Sequence, residues 1–185
     1  MKKIIESLAK EFNERNLTWA IGGSLLLKRY GINDGFDQLD IMVSEDSIDE
    51  IKGVMNDIAE KLGVVNNESF QTDHFSSYKI QNQTINIICN LKCNFKESFT
   101  YSFDKEDIST QYISNNVKIY FSDLLDWYVI YQEIDSARTT KLIERYYESG
   151  SFLNNTRFNN KFGMDDIPHV KDRYSNLKKR IYQAG

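Results

Sequence analysis

The chain is poor in the residues that bind soft metals or lock a fold covalently. It has two histidines, His74 and His169, so a histidine-based metal centre is not expected. Its two cysteines, Cys89 and Cys93, fit neither a zinc nor a CxxC redox spacing and read as reduced thiols of a cytoplasmic protein. No stretch approaches the roughly 18 apolar residues needed to cross a bilayer, so no membrane partner is expected. The opening MKKIIESLAKEF holds no sustained apolar segment, which argues against a signal peptide. Proline occurs once, at Pro168, and the wealth of Asn, Lys and Ile points to a low-GC genome. The net charge of −4 argues against a protein that coats duplex DNA, while leaving room for a local basic patch. What is present suits a core: eleven Tyr and eleven Phe supply large apolar surface. A length of 185 residues favours one domain, or one domain with a helical extension.

Hydrophobic periodicity orders the chain. Lys2 to Arg15 repeats at helical spacing, with Asn16 at its end. Leu17 to Ile21 reads as a strand broken by Gly22-Gly23, and Ser24 to Tyr30 as a short helix closed by Gly31. A turn-rich loop, GINDGFD, leads to a second strand, Gln38 to Val43. Ser47-x-x-Glu50 predicts a capping box for a helix reaching about Leu62, with Gly63 as its C′ residue. The period then falls to two. His74 to Ile80 and Thr84 to Cys89 predict a hairpin, Phe99 to Phe103 a weaker strand, and Gln111 to Ile113 with Val117 to Phe121 a second hairpin around Ser114-Asn115-Asn116. Ser122 is expected to cap a helix bearing Trp127, Tyr128 and Tyr131, whose rings read as packing residues. A further helix spans Ser136 to Glu148. Residues 151–163 read as a polar loop, and a last helix starts at Asp165 or Asp166, with a basic face expected to be solvated. The division expected is an α/β core over 1–121 and a helical region over 122–185.

The chemistry concentrates between Trp19 and Val43. Gly22-Gly23-Ser24 lets the backbone approach a phosphate closely, and a helix starting there would aim free N–H groups at it. On the next strand Leu39, Ile41 and Val43 share a wholly apolar face, while Gln38, Asp40 and Met42 share the other. Asp40 can thus face a cleft and offer oxygen to a cation such as Mg²⁺. Lys28, Arg29, Arg138 and Lys141 are cations within reach in sequence, and of these Lys28 is the candidate phosphate contact.

Gly22-Gly23-Ser24, a gap of about a dozen residues, and a strand carrying Asp40-Ile41-Met42-Val43 resemble the nucleotidyltransferase superfamily of the DNA polymerase β type. The segment Ser122 to Tyr146 resembles the helical end of its small bacterial members, the antibiotic-modifying and toxin–antitoxin enzymes. The resemblance covers roughly Leu17 to Gly150. It implies an α+β fold, with a small mixed β-sheet, flanking helices and a helical C-terminal part. It also implies three carboxylates holding two Mg²⁺ ions: an Asp-x-Asp pair on one strand and a third acid on a later one. The chain departs from that pattern twice. Gln38 stands at the first position of the pair, Asp40 at the second, and Asn86 at the third. An amide offers a neutral oxygen and accepts no proton at neutral pH. Asp37 could substitute if a bulge over Gly35-Phe36-Asp37 turned it inward, though strand parity assigns it the wrong face. Asp34, Glu45 and Asp46 are accounted for by turn and helix-start duties.

Two functions follow as expectations. In one, the chain is a catalytically impaired relative that binds a nucleotide or a nucleotide-bearing partner, RNA or protein, through the Gly-Gly-Ser loop, with no cofactor. In the other, it is an active enzyme that moves a nucleotidyl group from an NTP to a small-molecule, protein or RNA hydroxyl, with Asp37 and Asp40 holding Mg²⁺. A third reading makes the Gly-Gly-Ser match accidental.

Overall fold

The computed structural model describes residues 1–33, 35–63, 72, 74–93, 99–134, 136–164 and 167–183. Asp34 and the helix start assigned to Asp165 or Asp166 lie outside them, as does the side chain of Cys93. Helix α1 (Lys2–Glu14) buries Ile4, Leu8, Ala9 and Phe12, and Asn16 behind it takes a left-handed φ of 55°. Strand β1 (Trp19–Ile21), helix α2 (Gly23–Arg29) and strand β2 (Gln38–Val43) follow. Next come α3 (Ile48–Ile58), β3 (Glu60–Lys61), the hairpin β4 (His74–Ile80) and β5 (Gln83–Cys89), and the small pair β6 (Leu91–Cys93) and β7 (Phe99–Tyr101). The hairpin β8 (Ile108–Ser114) and β9 (Val117–Ser122) precedes α4 (Leu124–Glu133), α5 (Ala137–Glu148), α6 (Asn155–Phe162) and α7 (Pro168–Gln183).

Seven strands form one mixed sheet in the order β3-β4-β5-β2-β1-β9-β8. The pairs β2–β5 and β1–β9 are parallel and the others antiparallel. The α+β expectation therefore holds. Both hairpins turn through asparagine or glutamine in left-handed conformation: Gln81 at φ 56°, and Asn115 and Asn116 at 49° and 63°. Two consecutive left-handed residues make the tight turn that matches strand twist. The core runs beneath the sheet, where Leu39, Ile41, Val43, Ile85 and Ile87 are all at most 1% exposed.

Four expectations are corrected. The helix opened near Ser47 stops at Ile58, because Ala59 turns extended and Glu60–Lys61 pairs with Tyr78 and Lys79. Strand pairing there outweighs local helix propensity. Ser47 makes no capping bond; its Oγ accepts from Thr18 N at 2.9 Å. Ser122 does not cap α4. Asp123 does, accepting from Leu125 N at 2.8 Å. The Ser122 hydroxyl instead donates to Ile21 O (3.1 Å) and accepts from Trp127 Nε1 (2.8 Å), tying β9, β1 and α4 together. Finally, residues 151–163 contain α6, capped by Asn154.

Sequence periodicity missed α6 because its anchors are few: Phe158 and Phe162 are buried, and the rest is polar. What holds it is ionic. Arg157 Nε donates to Asp126 Oδ1 at 3.0 Å, a second Arg157 nitrogen meets Asp126 Oδ2, and the same nitrogen reaches Asp107 at 3.0 Å. Tyr101 also donates to Asp126, at 2.5 Å. Asp126 is fully buried, and burial pushes its carboxyl up to about 7 despite the opposing pull of Arg157. Arg157→Ala leaves that carboxylate without its cation, which should cost about 3–5 kcal/mol in urea unfolding at pH 8. Because the folded-state pKa lies above the ordinary value, protonation favours the folded form. The deficit should therefore grow as pH rises above about 7, where only the unaltered chain ionises Asp126 readily, and level off below it.

Candidate functional site

The strand register assembles the site. Asp40 on β2 lies opposite Asn86 on β5, and Asn86 lies opposite Ser77 on β4. Gly22 N donates to Asp40 O at 2.9 Å, so the row continues to the end of β1. Residues paired across a sheet project to the same side. Ser77, Asn86 and Asp40 consequently stand abreast on the face opposite the Leu39–Ile41–Val43 core, as parity predicts for Asp40.

They form one hydrogen-bonded chain. Ser77 Oγ donates to Asn86 Oδ1 at 2.8 Å, and Asn86 Nδ2 donates to Asp40 Oδ1 at 2.8 Å. The ionised Asp40 carboxylate, which only accepts, fixes which way the amide faces, and the serine hydroxyl then donates to the oxygen end. Asp40 is 9% exposed, and burial pushes its carboxyl up to about 6, with the Asn86 bond pulling the other way. Above this row opens a cleft of about 370 Å³. Its polar wall is Gln38, Asp40, Ser77, Thr84 and Asn86; Trp127 and Tyr131 of α4 stand among its apolar residues. No lysine or arginine is among the described lining residues. The negative field of Asp40 and burial both raise the Tyr131 hydroxyl, burial being the larger cause.

The double glycine is filled from the protein's own side. A Cβ on Gly22 would come within 2.1 Å of the Trp127 ring, and one on Gly23, whose φ is +58°, within 2.0 Å of Asp40 Oδ2. Only glycine admits both the indole and the carboxylate so close to the backbone. Ser24 follows in the first turn of α2, with Gly22 as the cap residue.

The structure thus gathers Asp40, Gln38 and Asn86 in one cleft, with Gly22 and Gly23 packed behind it. It does not bring the other candidates in. Asp37 is exposed on the approach to β2, and Lys28 lines a different cavity. Ser77, Thr84, Trp127 and Tyr131 were not singled out as site residues. Ser77 was missed because strands read as His74–Ile80 and Thr84–Cys89 leave a three-residue turn, which by counting sets Tyr78 opposite Asn86; the turn has two residues, Gln81-Asn82, and sets Ser77 there. The position of Trp127 depends on how α4 packs and had no local signal.

The residues present do not fit a two-metal centre. One buried carboxylate faces the cleft, one of its oxygens takes an amide proton, and its neighbours are neutral. Among the described residues no group of three acidic, histidine or cysteine side chains is placed to hold a metal ion.

No protein-family model matches the sequence, and no curated protein matches it. Solved structures do. The candidate nucleotidyltransferase TM1012 from Thermotoga maritima superposes with a TM-score of 0.59 at 15% identity, over 80% of this chain and 92% of that one. The crystal structure of ANT(2″)-Ia in complex with adenylyl-2″-tobramycin gives 0.53 at 9% identity, over 96% and 97%. The solution structure of the same antibiotic-resistance factor gives 0.53 at 10%, over 99% and 100%. At such identities the likeness is one of fold, and the chain carries the nucleotidyltransferase fold over most of its length.

Proposed function

We propose that this protein is a nucleotidyltransferase-fold binder, impaired in or lacking nucleotidyl transfer, that holds a nucleotide without Mg²⁺ in the cleft over Asp40. The observation that carries this reading is the Asn86 Nδ2–Asp40 Oδ1 hydrogen bond. An amide proton occupies one lone pair of the carboxylate that the resemblance assigns to a metal, and the amide brings no negative charge and cannot act as a general base. Thr84, Gln38 and Asn86 supply neutral hydrogen-bonding groups, and Trp127 and Tyr131 supply aromatic walls suited to a base. The alternative of an active enzyme needs Asp37 to join Asp40, and Asp37 is exposed.

Calorimetric titration of ATP, GTP, CTP and UTP, with and without Mg²⁺, separates the two through the sign of one mutation. Without a metal, the Asp40 carboxylate repels phosphates. Asp40→Asn should then strengthen NTP binding several-fold, and binding by the unaltered chain should strengthen as pH falls through about 6, where Asp40 takes up its proton. In an active enzyme the same mutation would abolish a Mg²⁺-dependent affinity. Failure of all four nucleotides to bind would remove both readings.

Stability gives a second check. The raised pKa of Asp40 means that its contribution is most favourable below about 4 and is lost as pH rises through about 6. Asp40→Asn should therefore raise the thermal midpoint at pH 8, by up to about 3 kcal/mol of stability, and change it little at pH 4. Asn86→Asp should do the reverse at pH 8, setting two carboxylates side by side. Mg²⁺ should restore the melting temperature of Asn86→Asp and leave that of the unaltered chain where it is.

A further inference from the structure

The second large cavity lies on the other side of the sheet. Ile21 pairs with Ile41 and with Phe121, and all three belong to the face opposite Asp40. Around them α1, α2 and the β8–β9 hairpin leave an opening of about 530 Å³, walled chiefly by Ile21, Leu25, Phe36, Tyr112, Ile119 and Phe121. That size is typical of a small-molecule pocket. One flank is open, with Tyr112 at 49% exposure.

Two cations bend over the walls. The Arg29 guanidinium lies 4.6 Å from the Phe121 ring centre and 6.0 Å from that of Tyr112, and Lys28 Nζ lies 5.2 Å from the centre of Phe36. Among the described residues neither forms an ion pair with a carboxylate. The nearby acid, Glu6, is engaged by Ser114, Asn115 and Lys2. Both cations sit in the last turn of α2, where the helix dipole favours positive charge. That accounts for their presence, but not for two heads held against aromatic faces at the mouth of an apolar cavity in a chain of net charge −4. Both residues are exposed, but heads held by cation–π contact are already positioned, so they meet an incoming anion at reduced entropic cost.

We infer that this cavity binds a small amphipathic anion, with an apolar or aromatic body inside and one carboxylate, sulfonate or phosphate at Lys28 and Arg29. This goes beyond the nucleotide reading and does not depend on it, because the Asp40 cleft lies across the sheet.

Fluorescence titration of the full chain with 8-anilinonaphthalene-1-sulfonate tests the inference, using decanoate and decyltrimethylammonium as competitors. The expected result is one saturable site, displaced by decanoate at a concentration about tenfold lower than by decyltrimethylammonium. The double variant Lys28→Glu/Arg29→Glu should bind the probe about tenfold more weakly, while Lys179→Glu, which reverses an exposed cation of α7 away from the cavity, binds it unchanged. Equal displacement by both competitors overturns the proposal, since apolar contact alone would then explain binding. So does retention of affinity in the charge-reversed variant, or an equal loss in Lys179→Glu. The comparison of competitors uses the unaltered chain, so it decides even where the double variant fails to fold.

Discussion

The bond from Asn86 to Asp40 is the constraint around which the site is arranged. A carboxylate with 9% exposure needs a cation or strong hydrogen-bond donors to remain in place. Here an amide supplies the proton, and Ser77 supplies the amide with its own partner. The three residues lie on adjacent strands at matched register, so a one-residue slip of β5 would replace Asn86 by isoleucine from either side and strand the carboxylate. The same register buries Leu39 and Ile41 beneath. Polar satisfaction above the sheet and apolar packing below it therefore select one alignment.

The glycine pair can serve two physical ends, and the structure shows one of them. Glycine lets a phosphate approach, and it also lets the protein's own atoms approach. At Gly22 the close neighbour is the Trp127 ring, and at Gly23 it is Asp40 Oδ2. Trp127 is itself fixed by Ser122, whose hydroxyl also bonds Ile21 O. The loop, the cleft wall and the start of α4 are one packed unit, so a ligand entering the cleft meets an aromatic face already in place.

Much of this was legible in the sequence. The alternation Gln38–Val43 put Asp40 on the polar face, the resemblance identified Gln38 and Asn86 as amides at carboxylate positions, and the order of strand, Gly-Gly-Ser, helix and strand gave the fold. Three local features were misread because the deciding partner lies far along the chain. Ser122 looked like a cap but serves Ile21 and Trp127. Ser47 looked like a cap but serves Thr18, twenty-nine residues away. Residues 151–163 looked like a loop, since α6 draws its hold from Asp126 and Asp107, which no local window contains.

Charge divides the two faces of the sheet. The cleft over Asp40 contains one carboxylate and, among its described lining residues, no cation; the cavity across the sheet has Lys2, Lys28 and Arg29 along its edge. A nucleotide's polyphosphate carries several negative charges, so the two sides treat it oppositely. Base and ribose can be met in the cleft by stacking and neutral hydrogen bonds, while the phosphates gain nothing there unless Asp40 is protonated. The side chain that a sequence reading assigns to phosphate, Lys28, has its ammonium over Phe36. Proximity in sequence between Gly-Gly-Ser and Lys28 is thus undone by the helix between them. Gly23 opens α2 against Asp40, and Lys28 leaves its last turn toward the opposite side.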